Sequence, residues 1–262
     1  MILKPITVDI DKYPASLHPY LSDANLYDSS CSPDAQVLFI DKDNGYFLKI
    51  ATAASLEREY EMTRYFHSKG LAAKVVEYLI VREQAWLLTE KIRGDNCTTA
   101  RYLDQPERLC DTIAEQLALL HSLDHTGCPV PNHTERYLFR AAQNYQAGRY
   151  DHSWFPESQD YSTPEEAYTI MKTKDHLLKT DTLLHGDYCL PNIILDDWKF
   201  SGFIDLDSGG VGDRHVDLFW GAWTLNFNLK TDQYRQRFFD AYGRDKIDEE
   251  RLQVIAACEV FG

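Results

Sequence analysis

The stretch LLHGDYCLPN, residues 183–192, ends an apolar run with His185 and Asp187 and places Asn192 five residues after the aspartate. Its glycine and proline exclude an ordinary helix. An aspartate held in a loop can accept the proton of a substrate hydroxyl, and an amide oxygen can ligate Mg²⁺. The stretch is therefore either a turn that only packs or a catalytic loop, and the rest of the chain has to decide.

Three further side chains complete a pattern in chain order. Lys49 lies in the apolar strand YFLKI, Glu59 follows ten residues later in a helical segment, and Asp205 ends the apolar run FIDLD. A lysine–glutamate pair holds an ammonium where it reaches nucleotide phosphates, and an aspartate after a strand supplies an anionic Mg²⁺ ligand. Asp207 is a weaker second candidate for that ligand. Each residue alone is an ordinary surface side chain, but together they predict phosphoryl transfer.

The composition limits the class of partner. The chain has 262 residues, 44% of them hydrophobic, and a net charge of −14. This charge disfavours nucleic acid, and it either attracts a polycationic small molecule or only maintains solubility. No apolar run approaches about 18 residues and the N-terminus does not resemble a signal peptide, so no membrane contact is expected. Six scattered cysteines predict reduced thiols in a cytoplasmic protein.

Periodicity predicts two lobes. Residues 36–50 and 74–92 each form a strand pair, the first around Asn44-Gly45, and a helix between them ends at Gly70. Amphipathic helices dominate after residue 97, one of them beginning at an N-cap Thr163, and a Gly-rich turn is expected after Asp207. The fold class is therefore α+β: a small β-rich nucleotide-binding lobe over 1–94, a larger mostly helical catalytic lobe over 95–262, and a hinge at about 89–97.

A metal hydrolase is the competing chemistry. Two His-x-Asp pairs, His185/Asp187 and His215/Asp217, have the residue types of a metal site. That interpretation leaves Lys49, Glu59 and Asn192 unexplained, so phosphoryl transfer is favoured. The chain lacks a GxGxxG nucleotide loop, and the segment SSCSPDAQV, residues 29–37, stands in its place.

The motifs HGDYCLPNI, FSGFIDL, GVGDRHVDL, LALLHSLDHTGCP and CEVFG resemble the aminoglycoside phosphotransferase family, most of all its 3'-phosphotransferase branch, which shares a protein-kinase-like architecture. The resemblance implies ATP, or GTP, together with Mg²⁺ and a cationic aminoglycoside as acceptor. It also implies roles for individual residues: Asp187 as catalytic base, Asn192 and Asp205 as Mg²⁺ ligands, Lys49, Glu59 and Ser32 at the phosphates, Glu90 and Ile92 at the adenine, and Asp217 as a brace of the catalytic loop.

The chain departs from the family in its substrate half. The run DSGGVGD stands where the family has Gly-Arg after FID, and Phe227 and Asn228 stand where an acidic pair is expected. Glu259 is the one acid kept at the C-terminus, with Glu157 and Asp160 as candidates to compensate. Ammonium groups are held best by carboxylates, so two alternatives stay open: a kinase of the same fold for another hydroxylated metabolite or antibiotic, and a nucleotide-binding module without catalysis.

Overall fold

The computed structural model describes residues 3–31, 34–154 and 161–262, with Trp154 described by its backbone alone. In chain order its strands and helices are β1 (Lys4–Ile6), α1 (His18–Leu21), β2 (Asn25–Asp28), β3 (Gln36–Asp41), β4 (Tyr46–Thr52), α2 (Glu57–Ser68), β5 (Val75–Val81), β6 (Gln84–Glu90), β7 (Asp95–Asn96), α3 (Ala100–Leu103), α4 (Pro106–His121), α5 (His133–Gln146), α6 (Pro164–Lys174), β8 (Thr182–Leu184), β9 (Ile193–Asp196), β10 (Lys199–Phe203), β11 (Gly210–Gly212), α7 (His215–Leu229), α8 (Tyr234–Gly243) and α9 (Glu249–Glu259).

The chain packs into two compact units. The first comprises Met1–Gly94 and Ile194–Asp207, and the second comprises Asp95–Ile193 and Ser208–Gly262. The sequence prediction instead places 194–207 in the second lobe, over 95–262. The segment belongs to the first unit because the Phe203 ring meets Phe66 of α2 edge-on at 6.2 Å and the Phe203 N–H donates to Leu71 O at 2.7 Å.

The first unit is built on a six-stranded antiparallel sheet in the order β1-β2-β3-β4-β6-β5. The predicted hairpin at Asn44-Gly45 is confirmed: β3 and β4 flank it, and the backbone turns through Asp43 at φ 54° and Gly45 at φ 90°. The second predicted hairpin is also present, with Arg82 and Glu83 between β5 and β6.

Alternation along β4 and β6 separates the two faces of this sheet. Leu48 and Leu88 pack on one face with the apolar residues of the N-terminal segment, including Leu17 and Leu21. Leu87 points to the other face, where α2 lies, and Lys49 is its direct cross-strand neighbour. Directly opposed residues share a face, so the β4 register turns the one lysine of YFLKI toward α2.

Helices build the second unit. Its core joins side chains of α5, α6, α7 and α9, and α9 is buried after its exposed first turn, with Leu252, Val254, Ile255, Ala256, Ala257 and Cys258 buried. A helix that is apolar on nearly all sides belongs inside a core. None of the helices within the described ranges is both long and apolar enough to cross a membrane.

A short strand pair corrects one sequence prediction. The Gly-rich segment after Asp207 was expected to be a turn, but Gly210–Gly212 forms strand β11, antiparallel to β8. A Cβ on Gly212 would lie 2.7 Å from His133 Nδ1. Small residues are required there because α5 approaches the strand closely.

The start of α6 follows its prediction. Thr163 is the N-cap with φ −131° and ψ 155°, its hydroxyl accepts from the Glu166 N–H at 3.2 Å, and Pro164 is the first helical residue. The Glu166 carboxylate accepts from the Ser162 N–H at 2.8 Å, one residue before the cap.

We predict that Thr163→Ala destabilises the second unit by about 1 kcal/mol because the cap acceptor is lost. Thr163→Ser keeps the hydroxyl and is the matched control. Urea denaturation followed by far-UV circular dichroism measures both variants. Equal stability of the alanine and serine variants would show that the cap contributes nothing.

Candidate active site

The buried carboxylate of Asp217 holds the start of the loop 185–192 in place. Asp217 Oδ2 accepts from the His185 N–H at 2.8 Å, and its Oδ1 accepts from the Gly186 N–H at 2.7 Å. His121 Nε2 lies 3.1 Å from the same Oδ2. Burial opposes ionisation, but His121, His185 and Gly186 outweigh it and hold the pKa of Asp217 below its usual value. These contacts are the bracing role that the resemblance implied for Asp217.

Gly186 is required by this geometry. Its φ is +84°, in the left-handed region, and a Cβ at this position would collide with the backbone carbonyl of Ser208. Side chains other than hydrogen are therefore excluded, and the loop can lie directly against the segment that leads into β11.

Asp187 and Asn192 face each other across the loop. The Asn192 Nδ2 group donates to Asp187 Oδ2 at 2.8 Å and to the Asp187 carbonyl at 3.0 Å. Both bonds use the amide nitrogen, so the amide oxygen is the atom left to ligate a hard cation. Asp187 is half-buried, whereas Asn192 is 7% exposed.

The first unit contains an ion-pair network of three residues, Lys49, Glu59 and Asp205. Lys49 Nζ donates to Glu59 Oε2 at 2.7 Å and to Asp205 Oδ1 at 2.9 Å. Burial disfavours the ammonium, but the two carboxylates outweigh it and raise the pKa of Lys49 above its usual value. Burial also raises the pKa of Glu59, against the pull of Lys49. Lys49 therefore stays protonated, and three residues that the sequence pattern singled out meet at one point.

The structure separates the two candidate aspartates. Both carboxylate oxygens of Asp207 accept from Arg58, at 3.1 Å from Nε and 2.7 Å from Nη2. Asp205 instead presents an exposed side chain from a left-handed backbone at φ 60°. A non-glycine residue in this region is uncommon and marks functional sites. Asp205 therefore has the more accessible carboxylate of the two, and its role as a Mg²⁺ ligand stays a prediction.

The residues of the predicted hinge begin at the end of β6. The Glu90 N–H is bonded to Lys74 O at 3.0 Å, and the Lys91 N–H to Gly45 O at 2.9 Å. Ile92 packs over Gly202, where an added Cβ would lie 2.7 Å from its Cδ1.

Glu259 is buried rather than displayed. It is 5% exposed, and its Oε1 accepts from the Tyr137 hydroxyl at 2.6 Å and from Trp220 Nε1 at 3.2 Å. Burial raises the pKa of Glu259 to about 7 against the hydrogen bonds of Tyr137 and Trp220 and the charge of Arg140. The other predicted site residues, Ser32, Glu157 and Asp160, lie outside the described residues.

The hydrolase alternative finds no support in the described part of the chain, which contains no group of three or more His, Cys, Asp or Glu side chains able to hold a metal. His215 Nδ1 lies 2.6 Å from Asp213 Oδ1, and its Nε2 accepts from the Asp248 N–H at the start of α9. His215 therefore has a structural role and links Asp213 to the start of α9.

Cys189 is also structural: it is buried, and burial raises the pKa of its thiol. None of the six cysteines, which all lie within the described residues, forms a disulfide bond.

Sequence reasoning missed two contributors. Arg58 precedes Glu59 directly, but a surface arginine beside a glutamate carries no signal of its partner. Trp220 lies on α7 three residues after Asp217, and its ring nitrogen reaches Glu259 across the core. Both contacts join residues distant in sequence, so an alignment of related sequences is the signal that would reveal them.

We predict that Glu259→Gln changes the pH dependence of stability. The folded pKa of about 7 lies above the ordinary value of 4.5, so folding binds a proton between these pH values. The resulting stability is complete below the unfolded pKa and is lost as pH rises through the folded one. The melting temperature of the variant, relative to the original chain, should therefore rise between pH 5 and pH 8.

Glu249→Gln, at the exposed start of the same helix, is the control for charge removal. Differential scanning fluorimetry in matched buffers makes the measurement. A difference between Glu259→Gln and the original chain that stays constant from pH 5 to pH 8 would contradict the prediction.

The chain has relatives along nearly its whole length. It is 56% identical over 260 residues, 99% of both chains, to a probable aminoglycoside 3'-phosphotransferase of Lactococcus lactis subsp. lactis strain IL1403. It is 30% identical over 218 residues to an aminoglycoside 3'-phosphotransferase of Niallia circulans, covering 82% of this chain and 83% of the relative.

Solved structures agree in fold. An aminoglycoside-3'-phosphotransferase of type VIII superposes with a TM-score of 0.76 at 23% identity, covering 96% of both chains. The aminoglycoside phosphotransferase APH(3'')-Id from Streptomyces rimosus, in complex with ADP and streptomycin, gives 0.74 at 22% identity, with 98% of this chain and 100% of that chain covered. The two-lobed kinase-like fold class predicted from the sequence is confirmed.

The model of the phosphotransferase enzyme family matches residues 27–255. This match covers the strands β3–β6, the braced loop and Asp205, and it reaches into both units. The chain belongs to the phosphotransferase enzyme family, among the aminoglycoside phosphotransferases, as its motifs predicted.

Proposed function

We propose that this protein is an ATP- and Mg²⁺-dependent phosphotransferase that phosphorylates a hydroxyl of an aminoglycoside, the 3'-hydroxyl, and thereby confers resistance. The observation that carries the reaction type is the Lys49 ammonium bound to both Glu59 and Asp205, at 2.7 and 2.9 Å. The relative with 56% identity, whose name specifies the 3' position, supports the acceptor and its regiochemistry.

The reaction follows from the roles of the residues. Asp187 accepts the proton of the acceptor hydroxyl as that oxygen forms a bond to the γ-phosphorus of ATP, and the bond from phosphorus to the departing ADP oxygen breaks. Lys49 orients the phosphates. Asp217, through the His185 and Gly186 N–H groups, keeps the loop from turning away from the acceptor. Positioning and charge neutralisation carry most of the rate in such transfers.

Asn192 and Asp205 fit the needs of Mg²⁺, a hard cation that prefers carboxylate and amide oxygens. When bound, Mg²⁺ neutralises the phosphate charge that develops during transfer. The Glu90 carbonyl and the Ile92 N–H are proposed to bind adenine, with Ser32 near the phosphates. ATP is the expected donor and GTP the alternative, and a cytoplasmic location would give access to either.

The acceptor side supports a second candidate function. Phe227 is 55% exposed, and the Asn228 amide donates to Thr224 O of its own helix at 2.8 Å, so neither position presents a carboxylate. Glu259 is buried under Tyr137 and Trp220. An acceptor with fewer ammonium groups, a different hydroxylated metabolite or antibiotic, would suit this surface. Glu157 and Asp160 are the remaining candidates to bind an aminoglycoside.

A non-catalytic module is disfavoured because Lys49, Glu59, Asp187, Asn192 and Asp205 are all present.

ADP release with ATP and Mg²⁺ against kanamycin, neomycin, amikacin and non-aminoglycoside alcohols tests the proposal. Turnover with an aminoglycoside, and product phosphorylated at the 3' position by NMR, is the expected result. Turnover restricted to other alcohols would select the second candidate. ATP binding without any turnover would select the non-catalytic module.

We predict that Asp187→Asn lowers kcat by about 10²- to 10⁴-fold, because the proton acceptor is lost, while the dissociation constant of ATP changes little. Single-turnover kinetics and nucleotide titration separate the two effects. Asp245→Asn, an exposed aspartate of the second unit, removes the same charge as a control. Wild-type kcat in Asp187→Asn would refute its role.

We predict that Asp205→Ala abolishes Mg²⁺-dependent turnover, because an anionic ligand of the cation is removed. The original chain should lose its activity with EDTA and regain it when Mg²⁺ is added in excess. Asp205→Ala should stay inactive even with excess Mg²⁺. A Mg²⁺ titration of the reaction rate measures both. Activity of Asp205→Ala at ordinary Mg²⁺ concentrations would exclude Asp205 as a ligand.

A further inference from the structure

A second ion pair lies beside the ion-pair network of Lys49, Glu59 and Asp205 in the first unit. Arg58, next to Glu59 on α2, donates from Nε and Nη2 to the two oxygens of Asp207, at 3.1 and 2.7 Å. Both side chains are about one-third exposed, 33% for Arg58 and 38% for Asp207. The guanidinium and the carboxylate therefore meet in the bidentate geometry that only arginine provides.

The same two segments are thus joined twice. Glu59 connects α2 to Asp205 through Lys49, and Arg58 connects α2 to Asp207 directly. A flexible surface pair contributes little by itself. A planar two-point contact, however, fixes both the distance and the orientation of the segment that carries Asp205.

The backbone of Asp205 requires such a restraint. Its φ of 60° is in the left-handed region, which an L-residue keeps only when its surroundings over-determine it. β10 ends at Phe203, two residues before Asp205, and Asp207 lies two residues after it. Phe203 anchors one side through Phe66, and Arg58 anchors the other.

We propose that Arg58 is a positioning residue: by clamping Asp207 it holds Asp205 in its left-handed conformation and keeps Glu59 facing Lys49. Asp207 is then an anchor and not a metal ligand. This inference rests on the proposed function, since it assigns Arg58 to the nucleotide and Mg²⁺ half of that reaction. It leaves acceptor binding independent of Arg58.

The test compares Arg58→Ala, Arg58→Lys, Asp207→Ala and the double variant Arg58→Ala/Asp207→Ala. We expect Arg58→Ala to raise the half-saturating Mg²⁺ concentration and the KM for ATP by about 5- to 10-fold, a usual size for coupled neighbours. The KM for the acceptor should not change. Arg58→Lys should lose less than Arg58→Ala because it keeps the positive charge. It should not reach the original values, because a single ammonium cannot bind both oxygens at once.

Coupling is the decisive readout. The double variant should be no worse than Arg58→Ala alone, because each single change already removes the clamp. Arg64→Ala is the matched control: it removes another arginine of α2, one whose guanidinium lies over the Tyr60 ring at 5.4 Å. A role in stability alone would lower the melting temperature of Arg58→Ala without moving its Mg²⁺ dependence, and that result would overturn the proposal.

Two other results would also overturn it. Additive losses in the double variant would mean that Arg58 and Asp207 act separately. A loss of Mg²⁺-dependent turnover in Asp207→Ala as large as that in Asp205→Ala would make Asp207 a ligand.

Nucleotide binding keeps this test distinct from that of the acceptor. The rise in melting temperature caused by MgATP is measured without any aminoglycoside, and it should be smaller in Arg58→Ala than in the original chain. If no aminoglycoside is phosphorylated but this difference appears, the proposed acceptor fails and the role of Arg58 stands. If the original chain shows no MgATP-induced shift, both fail.

Discussion

The Lys49 ammonium, shared between Glu59 and Asp205, is the interaction on which the first unit depends. It requires β4 to present its lysine toward α2 while Leu48 and Ile50 face the opposite core, and it requires the segment after β10 to return to the sheet. One extra residue in β4 would turn Lys49 into the apolar face and bring a leucine or isoleucine to the carboxylates. The strand register is therefore as much a part of the site as the charges.

The second unit solves a different problem with the same type of group. Asp217 is fully buried, yet it remains ionised because two backbone N–H groups and His121 compensate for lost water. It fixes the loop at His185 and Gly186, and Asn192 fixes the Asp187 carboxylate from the other side. Glu259 is the contrast. It is nearly as buried but accepts fewer bonds, and burial raises its pKa to about 7. Hydrogen bonds and neighbouring charges, rather than depth, separate the two carboxyls.

Sequence patterns predicted the elements whose causes are local. Asn44-Gly45 and Thr163 act within a few residues, and both lie where expected. The strand β11 escaped prediction because three residues with two glycines show no alternation. The membership of 194–207 in the first unit escaped because Phe203 pairs with Phe66, far back in the chain. Motif spacing pointed to Lys49, Glu59, Asp187, Asn192 and Asp205, and the other candidates came from the family resemblance. The Arg58–Asp207 contact and the burial of Glu259 depend on packing that no local window contains.

The long separation between Lys49 and Asp205, 156 residues, has a consequence for synthesis of the protein. At about 5 to 20 residues per second, the ribosome delivers Asp205 roughly 8 to 30 seconds after Lys49. During that interval Lys49 and Glu59 have only each other, and the side of Phe66 that Phe203 will cover is without its partner. The first unit therefore cannot be completed until residues 194–207 have been synthesised, and the apolar surface that they cover stays exposed to chaperones until then. A fragment ending at Gly94 would lack these partners altogether.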